Sequence, residues 1–346
     1  MRLSKSLLLA WAVGAAGTGC GSTDDGGLAE PDIGVGGAAT GGAGGSATGA
    51  TGGGGSGGGF SVGGGGPGDA GGASSGCQKI DFLFIVDNSA SMQNDQAKLT
   101  AAFPGFISAI EATVNAGGDY HVMVTDTDAW GRCDTANPWK GMDPSSSLCN
   151  PYIQSTQFGE CDRTWGAGVV HPAGAFASNQ PCALPAGRRF LQQGDSNVAG
   201  VFSCAAKVGT AGHSSERPMD ALVAALAPAI NATGGCNQGF LRDDALLVVT
   251  FISDDTNYED QGTPESWYQA VLAAKKGDPN AVAMVGFTPV GCGGGGKAGG
   301  KHWEEFVKKF PFNLHAQVCS ADYVETFTQA VKLVDESCDN YVPPVK

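Results

Sequence analysis

Hydrophobic positions in this chain gather after residue 76 and fall into two kinds of run. Ile80 to Val86 is almost unbroken apolar and rich in β-formers, which predicts a short strand buried on both faces. Ala245 to Ile252 predicts a second such strand, and Tyr120–Thr125, Ala281–Thr288 and Leu314–Val318 predict three more. Between them the apolar period changes to that of a helix. Phe103, Phe106, Ile107, Ile110 and Val114 share one helical face, where Pro104 and Gly105 predict a kink or restart. Met219, Leu222, Val223 and Leu226 form another behind Pro218, a residue suited to a first helical turn. Trp267, Ala270, Val271 and Ala274 follow Thr263-Pro264, and Trp303, Phe306, Val307 and Phe310 come next. A final helix turns Val324, Phe327, Val331 and Val334 inward, with Asp322 and Glu325 as its expected capping pair. Strands alternating with helices predict an α/β domain over residues 77–340. Its sheet is expected to be doubly wound, mostly parallel and flanked by helices. Residues 129–200 break the pattern with Gly, Pro, cysteines and little periodicity. They read as a disulfide-rich insertion, with Trp130, Trp139 and Trp165 as an expected small core and a short helix over Val198–Val208 at its end.

Ahead of this domain the pattern is different. Arg2 and Lys5 precede Leu7 to Ala16, an apolar stretch too short to span a bilayer. Gly17-Thr18-Gly19-Cys20 follows, and residues 1–20 resemble a bacterial lipoprotein signal, departing from it at Gly17, where Leu is usual. The resemblance implies cleavage before Cys20, lipidation of its thiol, and a place in the cell envelope. Gly21 after the cysteine points to the outer membrane, and ordinary secretion is the alternative. Residues 21–76 are nearly all Gly, Ala, Ser, Thr and Asp, which cannot bury a core. They are expected to be a flexible tether with a reach of about 40 Å.

Charge and cysteine content narrow the partners. A formal net charge of −14 disfavours nucleic acid. Eleven cysteines suit an oxidising compartment. Setting Cys20 aside leaves Cys77, Cys133, Cys149, Cys161, Cys182, Cys204, Cys236, Cys292, Cys319 and Cys338, an even number that suits disulfides. Cys77 and Cys338 bracket the domain and are expected to pair. No Cys-x-x-Cys spacing supports zinc. Gly291 to Ala298 nearly spells a P-loop, but Ala298 stands where a Ser or Thr should hold Mg²⁺, so no nucleotide is expected.

The chemistry lies at strand ends. Asp87 closes the first apolar run, and Ser89 and Ser91 follow at two-residue spacing. Carboxyl ends of parallel strands are where α/β sheets place ligands. One carboxylate and two hydroxyls are hard oxygen donors of the kind Mg²⁺, Mn²⁺ or Ca²⁺ takes. This Asp-x-Ser-x-Ser pattern after a buried strand resembles the metal-ion-dependent adhesion site of the von Willebrand factor type A (VWA) domain. Asp254, after the second buried strand, matches that family's later aspartate. The resemblance implies a VWA- or Rossmann-like fold and a divalent cation, Mg²⁺ foremost, touched directly by Ser89 and Ser91. Asp87 and Asp254 would act through water, and a protein partner would supply a carboxylate. The family's threonine before the next helix has no direct match. Glu216 falls at that position, with Thr210, Ser214 and Ser215 nearby, and Glu216 reads equally as a first-turn residue complementing the helix dipole. Asp126 and Asp128 loosely resemble the start of an EF-hand loop, but no Glu stands twelfth, so they read as rim or turn residues. Two other readings of the oxygen site stay open. One is a hydrolase in which His213 or Asp255 activates metal-bound water. The other is a structural site closed permanently by Glu216.

Overall fold

The computed structural model describes residues 77–113, 118–127, 159–212, 216–255, 259–293 and 299–344. The lipoprotein signal with Cys20, the tether, Asp128, Trp130, Trp139, Cys133, Cys149, His213, Ser214, Ser215 and most of the glycine-rich 291–298 segment lie outside the described residues. So does Val114.

The apolar runs form the sheet. Strands β1 (Lys79–Val86), β2 (Asp119–Asp126), β4 (Leu246–Ile252), β5 (Val282–Thr288) and β6 (Phe312–Gln317) are parallel, and a two-residue β3 (Leu191–Gln192) pairs antiparallel with β2. Their order is β3-β2-β1-β4-β5-β6. The α/β architecture with a mostly parallel sheet is thus as the pattern predicts, while β3 is an addition from the segment read as an insertion. Leu191 supplies it by pairing with Val122 at the sheet edge.

Helices cover both faces. Ile80, Phe82, Phe84 and Val86 meet α1 (Gln93–Thr113), α2 (Val198–Ala206) and α7 (Val324–Asn340). Leu83 and Ile85 face α3 (Pro218–Leu226), α5 (Pro264–Ala274) and α6 (Lys301–Val307), and a short α4 (Pro228–Asn231) follows α3. Each such buried Phe or Ile contributes about 1.5–3 kcal/mol through lost apolar exposure. Phe84 sits at the centre of the first face, edge-on to Phe103 at 5.8 Å and to Phe202 at 4.9 Å.

Three local expectations are corrected. Of the kink or restart expected at Pro104-Gly105, the restart does not occur: α1 runs on through Pro104. Leu99, Phe103, Phe106, Ile107 and Ile110 are buried on both sides of the proline, so packing outweighs its cost of ~3 kcal/mol. Asp322 and Glu325 do not form a capping box, because Tyr323 takes the N-cap position of α7. Its buried ring fixes that position, with the single hydroxyl proton shared between Asp95 at 2.7 Å and the Val318 carbonyl at 2.8 Å. Val324, expected inward, is exposed, while Phe327, Val331 and Val334 are buried.

Disulfides join distant segments. Cys77 bonds Cys338, as their bracketing positions implied, and Cys161–Cys236, Cys182–Cys204 and Cys292–Cys319 are the other pairs among the described residues. Trp165 lies partly buried under the Arg217 guanidinium, 4.7 Å from its ring centre. No helix among the described residues is long and apolar enough to cross a membrane.

Candidate functional site

Parallel register brings two loops together. Val86 pairs with Ile252, so Asp87 and Ser253 leave β1 and β4 side by side. The Asp87 N–H donates to the Ile252 carbonyl at 3.0 Å, and the Ser253 hydroxyl donates to Asp87 Oδ2 at 2.6 Å. The winding of the sheet reverses between these strands, where open α/β sheets leave a crevice. Asp87 then turns its own chain: its Oδ1 accepts the Ser89 N–H at 2.7 Å, a side-chain-closed turn. Ser89 and Ser91 hydroxyls lie 3.4 Å apart, and Ser91 donates to Asp254 Oδ1 at 2.8 Å. Four of the five expected ligands therefore form one connected oxygen cluster. Asp87 and Ser89 are buried, Asp254 is partly exposed, and Ser91 opens to solvent.

Glu216 is reached by another route. It is fully buried, its N–H donates to Asp255 at 2.7 Å, and its carboxylate accepts the Thr127 hydroxyl. Thr127 also lies 3.3 Å from the Asn88 side-chain oxygen. Glu216 is thus tied to the chain neighbours of Asp87 and Asp254. Thr210, one alternative for its role, faces the Ala175 carbonyl instead.

Several supporting residues were not singled out from sequence. Gln96, on the first turns of α1, donates to the Asp87 carbonyl at 2.9 Å and to the Gly209 carbonyl at 2.7 Å, and accepts the Gly209 N–H at 3.1 Å. Gly212 donates to the Asn88 carbonyl at 2.9 Å. A Cβ at Gly212 would meet Asn88 Oδ1 at 1.9 Å, so the close approach requires glycine. Asn88, Gln96 and Thr127 carry no spacing signal, since each acts across a fold contact. Ser253 could have been flagged, because it directly precedes Asp254.

The electrostatics are those of crowded, buried acids. Burial pushes the Asp87 carboxyl up to about 7, against hydrogen bonds from Ser253 and Ser89, and the Asp254 charge adds to the rise. Burial also raises Asp254, opposed by the Ser91 hydrogen bond and reinforced by Asp95 and Asp255. Among the described residues no group of three or more His, Cys, Asp and Glu converges. Half of this cluster's donors are hydroxyls. Two carboxylates and two hydroxyls in a partly desolvated recess fit a hard divalent cation and suit neither a soft metal nor an anion. Neither a family model nor a curated protein matches the chain.

Proposed function

We propose that this chain is a lipid-anchored envelope protein whose VWA-like domain binds a divalent cation and, through it, a carboxylate of a protein partner. The observation that carries this reading is the convergence of Asp87, Ser89, Ser91 and Asp254, from loops about 160 residues apart, into one hydrogen-bonded cluster. Ser89 and Ser91 would hold the cation directly. Asp87 already accepts two hydrogen bonds from the protein, which favours its acting through water. The cation, Mg²⁺ foremost with Mn²⁺ or Ca²⁺ as alternatives, supplies positive charge that accepts a partner's carboxylate oxygen. Glu216, joined to Asn88 through Thr127 and to Asp255 through its N–H, keeps the surrounding loops in register. The reading is recognition rather than turnover; Asp255, one of the two residues a hydrolytic mechanism would call on, accepts the Glu216 N–H with one of its oxygens at 2.7 Å.

A thermal melt of the oxidised full chain in EDTA, Mg²⁺, Mn²⁺ or Ca²⁺ tests this. At a cation concentration about a hundred times Kd the stabilisation is ~2.7 kcal/mol. Asp87→Asn should abolish that rise, and in EDTA the variant should be no less stable than the parent, since a buried carboxylate is neutralised. If no cation moves the parent's melt, the adhesion-site reading fails.

A further inference from the structure

A cavity of about 520 Å³, a size that admits several side chains of a bound segment, is lined by residues that follow the Ser89–Ser91 turn in the chain. The cavity runs along the start of α1, where Gln93 and Gln96 line it, two and five residues past Ser91. Gln96 is the same side chain that holds the Asp87 carbonyl. Backbone hydrogen bonds make the cavity wall and the cluster one layer of loops. Gly212 donates to Asn88, Thr210 donates to the Ala175 carbonyl at 2.7 Å, and Ser178 donates to the Lys207 carbonyl at 3.2 Å.

Phe176 lines this cavity. It is 62% exposed and has a φ of 59°, a left-handed conformation rare for an aromatic residue. Both features cost free energy in the isolated protein. They are nonetheless enforced: the carbonyl of Ala175 is held by Thr210, the Ala177 N–H by Gly174, and the Asn179 side chain clamps both the N–H and the carbonyl of Gly174. Strain held by surrounding hydrogen bonds is typical of functional loops. Lys207 is the one charged residue among the described lining, on a chain of net charge −14. An acidic segment meets no lining carboxylate here.

Resting on the cation-site reading, we infer that this cavity seats the flanking residues of the partner, an extended acidic segment of another protein. One of its carboxylates goes to the cation cluster, a neighbouring apolar side chain lies on Phe176, and a second carboxylate meets Lys207.

The test is fluorescence anisotropy of a labelled octapeptide alternating Glu and Leu, added to the full chain with disulfides intact, in Mg²⁺ or EDTA. A Gln/Leu octapeptide is the control. The Glu/Leu peptide should bind in Mg²⁺. Phe176→Gly and Lys207→Glu should each weaken it by about fivefold or more, while the Mg²⁺-dependent rise in melting temperature stays at the parent value. The inference is overturned if both variants bind like the parent, if the Gln/Leu peptide binds equally well, or if Mg²⁺ moves the melt and the Glu/Leu peptide does not bind. Binding that needs Phe176 and Lys207 but persists undiminished in EDTA supports the cavity and sinks the cation reading alone. No melt shift together with no peptide binding overturns both.

Discussion

Arg242 holds two carboxylates at the amino end of the sheet, away from the oxygen cluster. Its Nε donates to Asp81 at 2.8 Å, its backbone N–H to the other Asp81 oxygen at 2.7 Å, and its Nη1 to Asp119. Burial still pushes the Asp81 carboxyl up to about 6, against the pull of that guanidinium. His121, paired in register with Asp81, packs on Phe190 and turns Nδ1 to the Phe240 carbonyl at 2.9 Å. Burial depresses its imidazole to about 4. Between that value and the ordinary ~6.5, the unfolded chain binds more protons than the folded one. The stability His121 contributes is therefore present above about pH 6.5 and is lost as the pH falls toward 4, by at most about 3 kcal/mol. Asp81 acts with the opposite sign below its raised value. The comparison that isolates His121 is His121→Gln, which keeps a donor for Phe240 but does not titrate. Its unfolding free energy should fall less than the parent's from pH 6.5 to 4, and parallel curves would refute the assignment. Neither Arg242 nor His121 was legible as a site residue, because their partners lie far off in sequence and meet only across strands.

Elements were more legible than their ends. The apolar runs located the five parallel strands within a residue or two, and most plainly β4 and β5, which are buried along their whole length. Helix ends depended on packing, as Tyr323 shows by displacing the Asp322–Glu325 box. Loops depended on it further. The segment around Gly212 can approach β1 only without a side chain, which gives a local prediction. Gly212→Ala should destabilise the protein by about 1–3 kcal/mol and reduce the cation-dependent melt shift, because the added methyl meets both Asn88 Oδ1 and the Asn88 carbonyl. Gly293→Ala, whose Cβ would meet nothing within 4 Å, should stay within about 0.5 kcal/mol of the parent. Chemical denaturation of the two variants separates a packing requirement from a general cost of losing glycine.

Over the whole domain, Cys77 and Cys338 fasten the start of β1 to the end of α7, closing a loop with a sequence separation of 261. Removing a native disulfide typically costs about 2–5 kcal/mol. Cys77→Ala with Cys338→Ala should lower the melting temperature accordingly and leave cation binding in place, since the pair lies at the other end of the strands. An unchanged melting temperature would show that α7 is held by its apolar face alone. That face is substantial: Phe327, Ala330, Val331 and Val334 are all buried.

What the sequence determined by itself was local and periodic: the two strands buried on both faces, the helices between them, and a carboxylate at the end of each of those strands. These follow from side-chain period and from the place strand ends occupy in an α/β sheet, and both can be read along the chain. Only the tertiary structure decided that β1 and β4 are neighbours in register, so that Asp87, Ser253 and Asp254 meet. It alone placed Glu216 against Thr127, drew Gln96 under the Asp87 carbonyl, and built β3 from a segment read as an insertion. It also set the partners of Cys161, Cys182 and Cys292. These contacts join residues tens to hundreds of positions apart, where closure of the core and not local preference selects the partner.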